Sequence, residues 1–386
     1  MTPAARIAAA IEILDAVSQG RAAEQALTRW ARQSRFAGSK DRAAVRDHVF
    51  DVLRLKDTVA ALGGGVSGRA LMLGLLRYNG LDPSEFFNAQ GYAPDPLSDE
   101  EQSRGTDRDT ACALWNLPEW LVPEFERSLG AEAGAVAAAL THRGPVSLRV
   151  NLKEADVATA MQNLQSDGVV TTANPVAQTA LTVIEGARRV RNTTAYLTGQ
   201  VELQDAASQA VIDALPQALT CLDYCAGGGG KALAMAAQPN RRVYAHDSDP
   251  ARMRDLSPRA ERAGVGIQEL STDQLRTHMP FDLVLCDAPC SGSGAWRRSP
   301  EAKWSFTAAR LEELQAIQQD ILQQAAVLLS ENGWLIYATC SVLKAENEDQ
   351  VETFLSRNPD WQCRYQRRWP LSENCDGFYT AHLTRG

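Results

Sequence analysis

The chain has 386 residues, 45% of them hydrophobic and 22% charged, with a formal net charge of −8. That length allows two or three domains around at least one large core, and no apolar run approaches the roughly 20 residues that span a bilayer, so no membrane partner is expected. The acidic balance excludes wholesale coating of nucleic acid but leaves room for a local basic face. Residues 3–90 read as helices. Ile7, Ile11, Leu14 and Val17 fall at helical spacing, and Val45, Val49, Val52 and Leu53 repeat the pattern after Ser39, read as an N-cap. Met72, Leu75 and Leu76 open a further helix that Asn79-Gly80 breaks. Arg32, Arg35, Lys40, Arg42, Arg46, Arg54 and Lys56 form either a basic binding face or an ordinary solvated one. Residues 91–109 lack an aliphatic cluster and read as a linker, which closes a first region over 1–109.

Residues 110–195 read as a small α+β module. Leu117-Pro118-Glu119-Trp120 begins a helix, Val146 to Val150 alternates as a strand, Ala155 to Leu164 is helical, and Gly168 turns into Val169-Val170. Over 196–386 strands alternate with helices. Ala206 to Leu215, Lys231 to Ala237 and Ala308 to Leu329 read as helices; Cys221 to Tyr224, Val243 to His246, Phe281 to Cys286 and Trp334 to Tyr337 read as strands. Such alternation means an α/β domain with a doubly wound sheet, whose ligands bind beyond the carboxyl ends of the strands.

The first of those strands runs into Cys225-Ala226-Gly227-Gly228-Gly229-Gly230-Lys231, where backbone and helix N–H groups can approach a ligand. About twenty residues on, Asp247 ends the next strand, placed to accept ribose hydroxyls. A phosphate-loop nucleotide is disfavoured by Cys225 and Ala232, and a dinucleotide by the glycine spacing. S-adenosyl-L-methionine, a nucleoside without phosphate, fits best. His246 reads as an exposed strand-end residue, and Trp296 and Trp304 either as packing aromatics or, with Arg297, Arg298 and Lys303, as an RNA channel.

Eight cysteines without a Cys-x-x-Cys pair indicate neither a disulfide scaffold nor a zinc site, so no metal is expected. Met1 to Arg6 carry no signal-peptide core, and free thiols suit a cytoplasmic protein. Cys112, Cys221, Cys286, Cys363 and Cys375 read as small buried hydrophobes. Cys290 and Cys340 differ, because each follows the end of an apolar strand, in Asp287-Ala288-Pro289-Cys290-Ser291-Gly292 and Ala338-Thr339-Cys340-Ser341. One nucleophilic thiol, one assisting thiol and one acid are what methylation of cytosine C5 needs. A thiolate added at C6 makes C5 nucleophilic, an acid at N3 stabilises the developing charge, and a second group removes the C5 proton.

With Gln204-Asp205-Ala206-Ala207-Ser208-Gln209, Arg297 to Trp304, Glu346-Asn347-Glu348 and Asp376-Gly377-Phe378-Tyr379, these motifs resemble the RsmB/Sun family of RNA cytosine-5 methyltransferases. The resemblance implies a Rossmann-like class I methyltransferase domain over 196–386, preceded by the small α+β module and an all-α NusB-like RNA-binding domain. It implies Cys340 as the nucleophile, Cys290 in product release, Asp287 at cytosine N3 and near the donor, and Lys231 close to the reaction centre. Cys225 to Lys231 and Asp247 would hold S-adenosyl-L-methionine, leaving S-adenosyl-L-homocysteine as product. The partner implied is ribosomal RNA, small-subunit 16S RNA in particular, bound by a monomer. The rival class is a non-catalytic RNA-binding protein that senses a nucleoside. Two departures stand out. Gly227-Gly228 replace the family's Ala-Pro and Ala232 its hydroxyl residue, so a floppier loop is expected; Ser271 stands where many members carry an adenine-binding acid, with Asp273 two residues on.

Overall fold

A computed structural model of the protein describes residues 1–103, 105, 107–112 and 114–386, with the side chain of Cys112, one of the cysteines read as buried, outside the description. The chain forms two units, one of Met1–Val122, Ala131–Arg143 and Trp296–Ser305, the other of Pro123–Gly130, Gly144–Ala295 and Phe306–Gly386.

The first unit is helical. Helices Pro3–Ser18, Ala23–Gln33, Ser39–Arg54, Lys56–Gly63 and Gly68–Tyr78 pack Ile7, Ile13, Leu14, Val45, Val49, Val52 and Met72 into one core. Thr2 caps the first helix by accepting from Ala5 N–H. Gly74 lets the fifth helix meet the fourth, since a Cβ there would lie 1.8 Å from the carbonyl oxygen of Val59. Ser39 is not the cap expected of it: Gly38 is, and Asp41 reaches back to accept its N–H. The stretch read as a linker carries short helices Asp99–Ser103 and Arg108–Cys112, because Arg69 pairs with Glu101 and ties the first of them down. Trp296–Ser305, far along the chain, packs with these helices rather than with the sheet. Arg54 donates to the carbonyl of Arg297, Lys303 to that of Arg54 and the Trp304 indole to that of Leu53.

The second unit holds two sheets. The smaller is antiparallel, with β1 (Val146–Val150), β2 (Val170–Ala173), β3 (Ala180–Glu185) and β4 (Val201–Leu203) in the order β2-β3-β1-β4. Helix Val157–Ser166, capped by Asp156, starts two residues later than its apolar pattern predicts. The larger sheet contains β5 (Thr220–Asp223), β6 (Arg242–Ala245), β7 (Ile267–Glu269), β8 (Phe281–Asp287), β9 (Leu329–Thr339), β10 (Trp361–Trp369) and β11 (Phe378–Arg385). Its order is β10-β11-β9-β8-β5-β6-β7; the five strands from β9 to β7 are parallel, and β10 and β11 close one end antiparallel. The chain runs from β5 outward to β7, then returns to place β8 on the other side of β5. This makes the carboxyl ends of β5 and β8 the switch point where a doubly wound sheet opens a crevice. Cys221, Cys286 and Cys375 are buried as expected, whereas Cys363 is half-buried because β10 is an edge strand. Among the described residues no single helix is long and apolar enough to cross a membrane.

Candidate functional site

Strand register builds the site. β8 and β9 are parallel neighbours with Asp287 beside Ala338, so the chain leaves both at one level, and three residues past Asp287 and two past Ala338 the cysteines meet. Cys290 Sγ lies 3.5 Å from Cys340 Sγ, and both residues are half-buried. The bond to Cys340, together with burial, pushes the Cys290 thiol well above the ordinary cysteine range. Cys290 therefore keeps its proton.

Lys231 enters from the first turn of the helix after β5. Its Nζ donates to Asp287 Oδ2 at 2.7 Å and lies 5.1 Å from the Phe378 ring centroid. Burial alone would lower its pKa; the Asp287 carboxylate outweighs burial, and the ammonium is held above its usual range. The lysine is thus a fixed cation, with Cys340 and Asp223 joining Asp287 among the groups that raise it.

The glycine loop is tied at several points instead of floppy. Ala226 N–H donates to the His246 carbonyl, Gly227 N–H to Asp247 Oδ2 at 2.9 Å and Gly229 N–H to the Ala226 carbonyl. Arg259 donates to the Gly228 carbonyl. Gly229 has φ +79°, and a Cβ there would fall 2.1 Å from Leu256 Cδ1, so only glycine fits. Burial holds the Cys225 thiol protonated. Asp247 is buried, accepts also from Asp249 N–H and pairs with Arg252. Asp273 is exposed on the first turn of helix Thr272–His278.

The prediction for His246 is corrected: the residue is buried at 2% exposure. A carbonyl can only accept, so Nδ1 donates to Tyr224 O at 2.8 Å, and Nε2 accepts from the Thr272 hydroxyl at 3.0 Å. The RNA-channel reading of Trp296, Arg297 and Lys303 is corrected too, since all three are buried in the helical unit. Of the proposed basic face, Arg54 is buried and Arg46 pairs with Glu24, while Arg32, Arg35, Lys40 and Arg42 are exposed.

Two acids escaped the sequence reading. Asp223, the last residue of β5, is 1% exposed, and its Oδ1 has no hydrogen-bond partner. Burial, aided by the nearby Asp287 charge, pushes it up to about 7. Its signal was its place at a strand end ahead of the glycines. Glu346 lies fully buried behind the cysteines, and only its recurrence in Glu346-Asn347-Glu348 marked it.

A buried acid with one oxygen unpartnered beside a glycine cradle fits a ligand with a cationic group and close backbone contacts. That is the chemistry of an amino-acid-bearing nucleoside such as S-adenosylmethionine.

Comparison with known proteins agrees with this geometry. Residues 211–384 match the family model described as 16S rRNA methyltransferase RsmB/F, and residues 117–191 match its ferredoxin-like domain. Ribosomal RNA small subunit methyltransferase B of Xanthomonas campestris pv. campestris is 31% identical over 297 residues, covering 69% of this chain and 66% of that protein. The protein of the same name from Cronobacter sakazakii is 33% identical over 289 residues, covering 71% of this chain and 67% of its own length. The chain thus spans about two thirds of these relatives, slightly less for the first. The crystal structure of PH0851 shares the fold at a TM-score of 0.76 and 23% identity, covering 100% of this chain and 99% of that one. With the paired-cysteine motifs, the glycine loop and the sheet order all in agreement, the chain belongs to the RsmB/Sun (RsmB/F) family of methyltransferases.

Proposed function

We propose that this protein methylates C5 of a cytosine in ribosomal RNA, the small-subunit 16S RNA. The observation that carries the reading is the pair of half-buried thiols 3.5 Å apart beside the Lys231–Asp287 ion pair. A protein that only senses a nucleoside has no use for two juxtaposed thiols.

S-adenosylmethionine, when bound, supplies the electrophilic methyl group; Cys225 to Lys231, Asp247, Asp287 and Asp223 would hold it, with Asp273 towards the adenine. The target base leaves its stack to enter the site. Cys340 adds as thiolate to C6, forming an S–C6 bond and moving the C5–C6 π pair towards C5, C4 and N3. The Lys231–Asp287 pair faces N3, and its ammonium offsets the negative charge that builds there. After C5 is methylated, its remaining proton must leave. The sulfur of Cys340, now bonded to C6, carries no charge and no longer favours the protonated form of Cys290, so Cys290 gives its proton to solvent and the resulting thiolate takes the C5 proton. The C5–H pair then forms the C5–C6 double bond and expels Cys340 as thiolate.

The N-terminal helices supply the RNA contact as a NusB-like domain, along a groove lined by Thr28, Arg29, Arg32, Arg35 and Arg42. Exposed arginines on a helical face suit phosphate binding.

A Cys340→Ala protein should bind donor normally yet transfer no methyl group from labelled donor to 16S RNA; measurable turnover would exclude Cys340 as nucleophile. A Cys290→Ala protein should stay linked to RNA through denaturing electrophoresis, and the absence of that adduct would remove Cys290 from product release. Bisulfite mapping of cellular RNA with and without the protein locates the cytosine.

A further inference from the structure

We propose that Glu346 is the positioning residue of the two-thiol site, its buried carboxylate setting the distance between Cys290 and Cys340 through the serine that follows each cysteine. This rests on the reading that the two thiols perform the chemistry. Glu346 Oε2 accepts from the hydroxyls of Ser291 and Ser341, each at 2.5 Å. Oε1 accepts from Ser291 N–H at 2.7 Å and from Gln318 Nε2 at 3.2 Å. Four donors match the four lone-pair sites of a carboxylate. All four partners are neutral donors, and a buried polar group keeps its place when its hydrogen bonds are complete.

Ser291 and Ser341 belong to different strand-end loops, one after β8 and one after β9, and each is covalently next to a cysteine. One oxygen atom therefore gathers both loops. The surrounding bonds reinforce the clamp: Gly294 N–H donates to the Cys340 carbonyl at 2.9 Å, Val342 N–H to Ser293 Oγ at 2.9 Å, and Asn347 Nδ2 to the Ser341 carbonyl at 2.9 Å. Glu346 touches neither sulfur by a hydrogen bond, so its effect passes through backbone placement.

The experiment has two arms, run on the wild type, Glu346→Gln, Glu346→Ala and Ser341→Ala, with folding checked by thermal melting and donor-site integrity by S-adenosylhomocysteine binding. In the first arm, diamide oxidises the thiols. Cys290 and Cys340 lose two protons and two electrons to the diazene, which is reduced to the hydrazine, and a sulfur–sulfur bond forms. Peptide mapping follows the Cys290–Cys340 link. Its rate should fall by about tenfold in Glu346→Ala and less in Glu346→Gln and Ser341→Ala, because a shift of a fraction of the ~1 Å that costs about 100-fold in a positioned reaction is enough. In the second arm, kcat for methyl transfer should fall by about 30–100-fold in Glu346→Ala while KM for RNA stays within about threefold. Unchanged link rates and kcat in all three variants would overturn the proposal, as would a loss confined to KM. If one variant does not fold, the same comparison is made with Ser341→Ala, which leaves the carboxylate in place and cuts one tether. Should wild-type protein make no 5-methylcytosine, the reaction reading falls, and the link rates alone decide the role of Glu346.

Discussion

Lys231 in the sheet unit and Lys303 in the helical unit are both buried, 7% and 1% exposed, yet their surroundings shift them in opposite directions. Lys231 meets the Asp287 carboxylate at 2.7 Å and is held fully charged. Lys303 donates to a carbonyl, that of Arg54, and lies 4.9 Å from the Trp304 ring centroid. Burial lowers it to about 7, with Asp57 pulling upward too weakly to prevent it. Burial by itself does not decide whether a lysine is a cation; a carboxylate within hydrogen-bond reach does. One unit keeps a permanent charge where bonds are proposed to form and break. The other uses a long side chain to fasten a segment, and its charge there is a cost.

The largest test of this contrast is at the charged member. Lys231→Met should lower methyl transfer by about 100-fold or more, because it removes the cation beside Cys340 and Asp287. The measurement is single-turnover transfer at saturating donor and RNA. Lys303→Met should leave that rate within about twofold, and equal losses in the two variants would erase the distinction.

A smaller effect is expected in stability. Lys303 has a folded pKa below its ordinary 10.5, so the folded state binds fewer protons than the unfolded chain between about 7 and 10.5. Its contribution is fully present above that range and is lost as pH falls to about 7. Lys303→Met should accordingly stabilise the protein by about 1–2 kcal/mol at pH 6, and the gain should shrink as pH rises past 8 in urea unfolding. A gain that did not vary with pH would point to packing rather than charge.

The smallest effect belongs to Asp223, the same physics with the opposite sign. Its folded pKa of about 7 lies above its ordinary 3.8. Stability from this group is complete at low pH and is lost as pH rises from about 4 to 7. Asp223→Asn should be close to neutral at pH 4 and stabilise the donor-free protein by about 1 kcal/mol at pH 8, while weakening S-adenosylhomocysteine binding by calorimetry. Wild-type affinity in that variant would remove Asp223 from the donor site.

The sequence by itself determined what is local along the chain. The glycine turn, the strand ends at Asp247 and Asp287 and the two cysteine motifs each lie within about ten residues, where hydrophobic alternation and turn chemistry suffice to place them. The alternating strands and helices likewise announced a doubly wound sheet. Only the tertiary structure decided the rest, because those features depend on partners distant in sequence. Arg54 meets Arg297 across 243 residues, so Trp296–Ser305 packs with the N-terminal helices despite following the Asp287-to-Gly292 motif in sequence. His246 is buried because Tyr224 and Thr272 close over it from other elements. Glu346 gathers two serines from separate loops. Side-chain periodicity tells which face of an element turns inward, but not which charge awaits it there, and that meeting settled whether each buried ionisable group became a cation, a clamp or an unpartnered acid.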